Sequence, residues 1–136
     1  MNFIDSNVFL RYLTNDDAAA QDAAARVFTK LAKGEEEGFT TDVHIHEVAY
    51  VLASKRLYAL SHEEIRNRLR PLLLMSGLKI VNKKVCLDAL DIFAAREALD
   101  YADALAVASM RNRSIQNIYS FDKHFNRIEG VTRVDP

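Results

Sequence analysis

Five short strand-like runs, none longer than four residues, alternate along this chain with much longer stretches of helical periodicity. The runs occupy residues 1–4, 39–41, 78–81, 118–121 and 131–134. Apolar strands separated by helices imply βαβ units, right-handed crossovers and a mostly parallel sheet covered on both faces. Between the runs, Val8, Phe9, Leu10, Tyr12 and Leu13 crowd one short helix. An alanine-rich helix is expected over 17–31, closed by Gly34. Asp42 is a candidate cap for a helix over 43–57. Ser61 and Glu64 form a capping box for the next helix, which Pro71 should kink before Gly77 ends it. Helices over 83–99 and, capped by Asp100, over 101–113 complete the pattern.

With 136 residues, the chain is expected to form one domain over 1–136. At that length folding buries roughly two-thirds of the surface of the unfolded chain, so disulfides are unnecessary. The lone Cys86 suits a reducing cytoplasm. No apolar stretch approaches the roughly 20 residues of a membrane helix. The opening residues lack a basic flank, and Asp5 interrupts them where a signal peptide would carry its apolar run. A formal net charge of -1 excludes a strongly basic nucleic-acid binder, so any such partner must meet a local patch.

Four acids occupy positions that call for explanation. Asp5 and Asp122 follow strand-like runs, at the carboxyl ends of strands where ligands of α/β sheets sit. On the 101–113 helix, Asp103 heads a stripe continued by Ala106, Val107 and Met110. On the 43–57 helix, Ile45, Val48, Ala49 and Leu52 form one stripe while Val43, Glu47, Tyr50 and Val51 form another. That helix is therefore expected to be largely buried, with Glu47 inside it. Taken singly, each acid has a plainer role: Asp103 favouring the helix dipole, Glu47 paired with a cation, Asp122 a cap. Gathered in one crevice they have only two options. Two carboxylates ~5 Å apart repel by roughly 3 kcal/mol at an effective dielectric of ~20, so a cluster holds protons or divalent cations. Oxygen donors without thiolates or a histidine pair suit magnesium or manganese better than zinc.

Four segments carry these acids: Asp5-Ser6-Asn7-Val8-Phe9-Leu10, His46-Glu47-Val48-Ala49-Tyr50-Val51-Leu52, Asp103-Ala104-Leu105-Ala106-Val107-Ala108 and Ser120-Phe121-Asp122-Lys123-His124-Phe125. In order and spacing they resemble the motifs of the PIN domain, a metal-dependent ribonuclease fold, and specifically its VapC-like toxin branch. The resemblance implies a three-layer α/β/α sandwich. It also implies Mg2+ or Mn2+ held by Asp5, Glu47, Asp103 and Asp122 as the catalytic acids, with Asn7 and Ser120 as supporting polar groups. Asn7 has a second role open to it, as a cap of the first helix. Serine stands at 120 where the family often has threonine, which keeps the hydroxyl. The implied reaction is endonucleolytic hydrolysis of RNA by metal-activated water, without a protein nucleophile. The implied partners are a second copy in a homodimer and a small antitoxin whose peptide fills the acidic groove.

Candidate RNA phosphate contacts are Arg11, Arg111, Arg113, Lys123, His124 and Arg127. Arg111 and Arg113 also sit where cations favour a helix C-terminus. A non-cleaving PIN-like domain that binds RNA or protein is the alternative from another class. A phosphatase using Asp5 is weaker, since that chemistry wants a second acid where Asn7 stands. A zinc site at His44-Ile45-His46-Glu47 is disfavoured by Tyr50, which occupies the position of the second histidine in H-E-x-x-H.

Overall fold

In a computed structural model describing residues 1–136, each early strand is followed by two helices. Strand β1 (Asn2–Phe3) leads into α1 (Ser6–Leu13) and α2 (Ala18–Lys33). Strand β2 (Gly38–Thr40) leads into α3 (Asp42–Ala53) and α4 (His62–Leu73), and β3 (Leu78–Ile80) into α5 (Lys83–Ala95) and α6 (Tyr101–Asn112). Strand β4 (Asn117–Tyr119), a 3-10 segment (Lys123–Arg127) and β5 (Thr132–Val134) end the chain. The class is α/β, and every strand pair is parallel. No helix is long and apolar enough to cross a membrane.

Local chemistry sets most boundaries. Asp17 accepts the Ala20 N–H at 3.0 Å to open α2, and Gly34, at φ 72°, closes it in the left-handed region. Ser61 accepts the Glu64 N–H at 3.1 Å, and Asp100 accepts that of Asp103 at 2.8 Å. Pro71 falls in the last turn of α4, where it forgoes the bond to the Asn67 carbonyl with only two helical residues left, and the helix ends at Leu73. Two helices stop short of their expected ends. Helix α3 closes at Ala53, because the chain folds back to join the Leu60 N–H to the Leu52 carbonyl. Helix α5 closes at Ala95, because Leu99 turns into a separate apolar cluster.

The main core joins 22 buried residues, among them Phe9, Phe28, Leu31, Ile45, Leu52, Leu78, Phe93 and Tyr101, from all six helices and β3. His62 stacks on Phe93 with ring centroids 3.7 Å apart and places Nδ1 3.0 Å from the Phe93 carbonyl, tying α4 to α5. A second cluster, Leu99, Val107, Phe125 and Ile128, fastens the β4–β5 lobe to α6. The parallel strands accordingly form two ladders, β1-β2-β3 and β4-β5, instead of one continuous sheet.

Helix α3 departs from expectation in burial. Ile45, Val48, Ala49 and Leu52 are fully enclosed, but Val43 and Tyr50 are 67% and 65% exposed. Glu47 lies on that open face and is exposed, not buried. Periodicity identified both stripes, but the second is only partly covered: Val51 is half-buried, and Val43 lines an open cleft shared with Ala102, Leu105 and Ala106 of α6.

Gly77 is required by close backbone approach. A Cβ there would collide with the Leu31 carbonyl oxygen and lie 2.7 Å from that of Glu36. Neither oxygen belongs to a flexible side chain. Gly77→Ala is expected to cost about 1–3 kcal/mol of unfolding free energy, read from the urea midpoint with the slope unchanged.

Candidate metal centre

Helix α6 and the segment after β4 converge on three side chains. Asp103 sits half-buried in the first turn of α6, its backbone N–H already committed to Asp100. Asp122 follows β4, and its N–H donates to Ser120 Oγ at 3.0 Å, which shapes that turn. His124 lies on the 3-10 segment, seated by its buried neighbour Phe125. His124 Nε2 is 3.2 Å from Asp103 Oδ2 and 3.7 Å from Asp122 Oδ2. One donor atom from each of the three lies within 4.8 Å of the others.

The electrostatics favour a cation at this point. Burial holds the Asp103 carboxyl above its ordinary range, the adjacent Asp100 charge pushes the same way, and His124 only partly opposes them. Two carboxylates and an imidazole, the first of them reluctant to ionise, fit a divalent ion, whose charge would relieve that reluctance.

Asp5 lies outside this cluster. It stands at the N-terminus of α1, exposed, and its carboxylate is 3.6 Å from His44 Nε2. His44 is held on its other side by Thr41, Oγ1 to Nδ1 at 2.7 Å, and edge-on by the Phe3 ring at 4.9 Å. Glu47 is also outside the cluster, one helical turn beyond His44 on α3. Asp5 and Glu47 are thus carried by the segments that follow β1 and β2, and Asp103 and Asp122 by α6 and the segment after β4.

The supporting and basic residues divide likewise. Asn7 lies within α1, with Asp5 at the capping position, so it is not the cap; it shares a shallow groove with Arg11 and α2. Ser120 shapes the turn that carries Asp122. Arg111 donates to the Glu129 carbonyl at 3.4 Å, and Arg113 ends α6. Lys123 and Arg127 are exposed beside the three-residue cluster.

Residues 3–131 match the PIN domain family. The chain belongs to it. Among solved structures, this PIN domain is similar to the Mycobacterium tuberculosis VapC20 toxin, described as cleaving the sarcin-ricin loop. The two share 19% identity over 100% of each chain, with a TM-score of 0.40. No curated protein matches the sequence.

Two histidines of this PIN domain gain contacts that the sequence did not disclose. His124 stands between two carboxylates, a placement hinted at only by its position two residues after Asp122. His44 pairs with Asp5, and no spacing rule signals that contact because it crosses from α3 to the start of α1.

Because Asp103 ionises less readily in the folded chain than in the unfolded one, its ionisation lowers stability. The favourable contribution is complete below the ordinary carboxylate pKa and is lost as pH rises through the elevated folded value. Asp103→Asn in metal-free buffer is therefore expected to match or exceed the wild-type Tm at pH 7. The difference should vanish at acid pH, where the native carboxyl is protonated in both states, as thermal melts across pH would show.

Proposed function

We propose that this PIN domain is a metal-dependent endoribonuclease of the VapC-like toxin type. Its catalytic acids are Asp5, Glu47, Asp103 and Asp122, and its substrate is an RNA phosphodiester. The observation that carries the reading is the convergence of Asp103, Asp122 and His124 donor atoms within 4.8 Å of one another beside exposed cations. Asp103 and Asp122 would hold Mg2+ or Mn2+, with Asp5 and Glu47 completing the set and His124 as a third donor or a proton carrier between them. When bound, such an ion neutralises phosphate oxygens and acidifies water.

The chain supplies the remaining functions. Lys123 and Arg127 face solvent next to Asp122, where an RNA backbone approaching the acids would find opposite charge, and Arg11, Arg111 and Arg113 extend that field. Ser120 keeps the Asp122 turn in place. No thiol nucleophile competes, because Cys86 is buried and burial pushes its thiol up to about 11. Hydrolysis by an activated water is the chemistry left to carboxylates arranged in this way. The toxin reading rests on the four acidic motifs running in family order through a single short domain, and it brings with it a homodimer, a small antitoxin bound over the acidic groove and a cytoplasmic setting.

Cleavage of a panel of structured RNAs tests the reading. Wild-type protein is expected to cut only with Mg2+ or Mn2+ and to stop in chelator. Asp5→Asn and Asp122→Asn should each lose more than the roughly 10–100-fold that removal of an outer-shell partner costs, with circular dichroism unchanged. Full cleavage by either variant would remove that acid from the mechanism.

A further inference from the structure

The stretch that leads from β4 to Asp122 holds two aromatic rings in the open. Tyr119 is 77% exposed and Phe121 83%, and neither joins an apolar cluster, although Ile118 and Phe125 on either side of them do. Loose attachment is not the cause. Ser120, between the two rings, is fixed at three atoms: its N–H donates to the Val134 carbonyl at 3.3 Å, its carbonyl accepts from Arg133 Nη1 at 2.7 Å, and its hydroxyl accepts the Asp122 N–H at 3.0 Å. Arg133 is in turn nearly enclosed and paired with Asp135. The chain therefore presents two rings to solvent on a tethered backbone, forgoing the gain of burying them, immediately before one of the metal-centre acids.

Spacing and charge say what such rings fit. Exposure alternates from Asn117 to Phe121, open at Asn117, Tyr119 and Phe121 and partly covered at Ile118 and Ser120, as on a strand with one free side. Two residues along an extended backbone span about 6.6 Å, close to twice the roughly 3.4 Å at which bases stack, so one base fits between the two rings. Asp122 follows Phe121 directly, Lys123 opens the 3-10 segment and Arg127 closes it, and all three are exposed. The centre of a protein interface is depleted of charge, and an apolar partner laid on the rings would have to bury this charged set without partners. An RNA strand meets each part with its complement, bases on the rings and phosphates on Lys123 and Arg127.

We propose that Tyr119 and Phe121 form a stacking subsite that grips an unpaired base of the RNA and delivers its adjoining phosphate to Asp122 and Asp103. The fate of that phosphate rests on the nuclease reading above; the grip on the base does not. Bases inside a duplex have both faces covered by their neighbours and enter such a subsite only by unstacking. Because every base has a π-face, the rings select unpaired nucleotides over paired ones rather than one base over another. Both are positioning residues and take no part in bond cleavage.

Fluorescence anisotropy of a labelled single-stranded oligoribonucleotide, in chelator so that nothing is cut, tests the subsite. Tyr119→Ala and Phe121→Ala are each expected to weaken binding about 5- to 150-fold, the range for losing one base–aromatic stack, while Phe121→Trp keeps it. The salt dependence should stay as in wild type, because no phosphate contact is removed, whereas Lys123→Ala should flatten it. Binding of a fully paired duplex of the same sequence should not change. Where an alanine variant fails to fold, Phe121→Leu, which keeps apolar bulk without a ring, makes the same comparison. Variants that bind the single strand as tightly as wild type, or lose duplex binding equally, overturn the proposal, as does a wild type that binds no single strand. A change confined to sedimentation overturns it too and assigns the rings to a protein contact. Cleavage with Mg2+ or Mn2+ decides the nuclease reading separately: a wild type that binds through its rings but never cuts removes the nuclease and leaves the subsite, and one that cuts regardless of the rings does the reverse.

Discussion

A parallel strand pair cannot be closed by a tight turn, so β1–β2 and β2–β3 each require a helical crossover running back along the sheet. The two crossovers bring Phe9, Phe28, Leu31, Ile45, Leu52 and Leu69 into one core beside the strands. The same constraint makes all three strands point one way, so the residues that follow them emerge at a common end. Asp5 leaves β1 there and Thr41 leaves β2 there, and Thr41 is the residue that holds His44 against Asp5. Pairing direction therefore places the first acid before any chemistry is considered.

Electrostatics bear directly on carboxylates placed close together. Each carboxylate pair gathered within ~5 Å is opposed by roughly 3 kcal/mol at an effective dielectric of ~20. An imidazole stands beside each of three acids: His44 beside Asp5, and His124 beside Asp103 and Asp122. Even so, Asp103 retains an elevated pKa, because burial and Asp100 outweigh His124. Three carboxylates around one imidazole would be costlier still without a cation.

What the sequence disclosed follows a physical line between local and distant causes. Caps at Ser61 and Asp100 were legible because donor and acceptor lie three residues apart on the same turn, whereas Asp42, the expected cap of α3, lies inside that helix with Thr41 at the capping position. The alternation of strand and helix was legible because burial imposes its period directly on the residues. The ends of α3 and α5 were not, since a fold-back to Leu60 and the capture of Leu99 by Phe125 and Ile128 depend on contacts from elsewhere in the chain. Glu47 shows the same limit. Helical spacing tells which residues share its face, but whether that face is covered is decided by another element. The order of the four acidic motifs was readable in the same way, whereas their grouping with His44 and His124 was not.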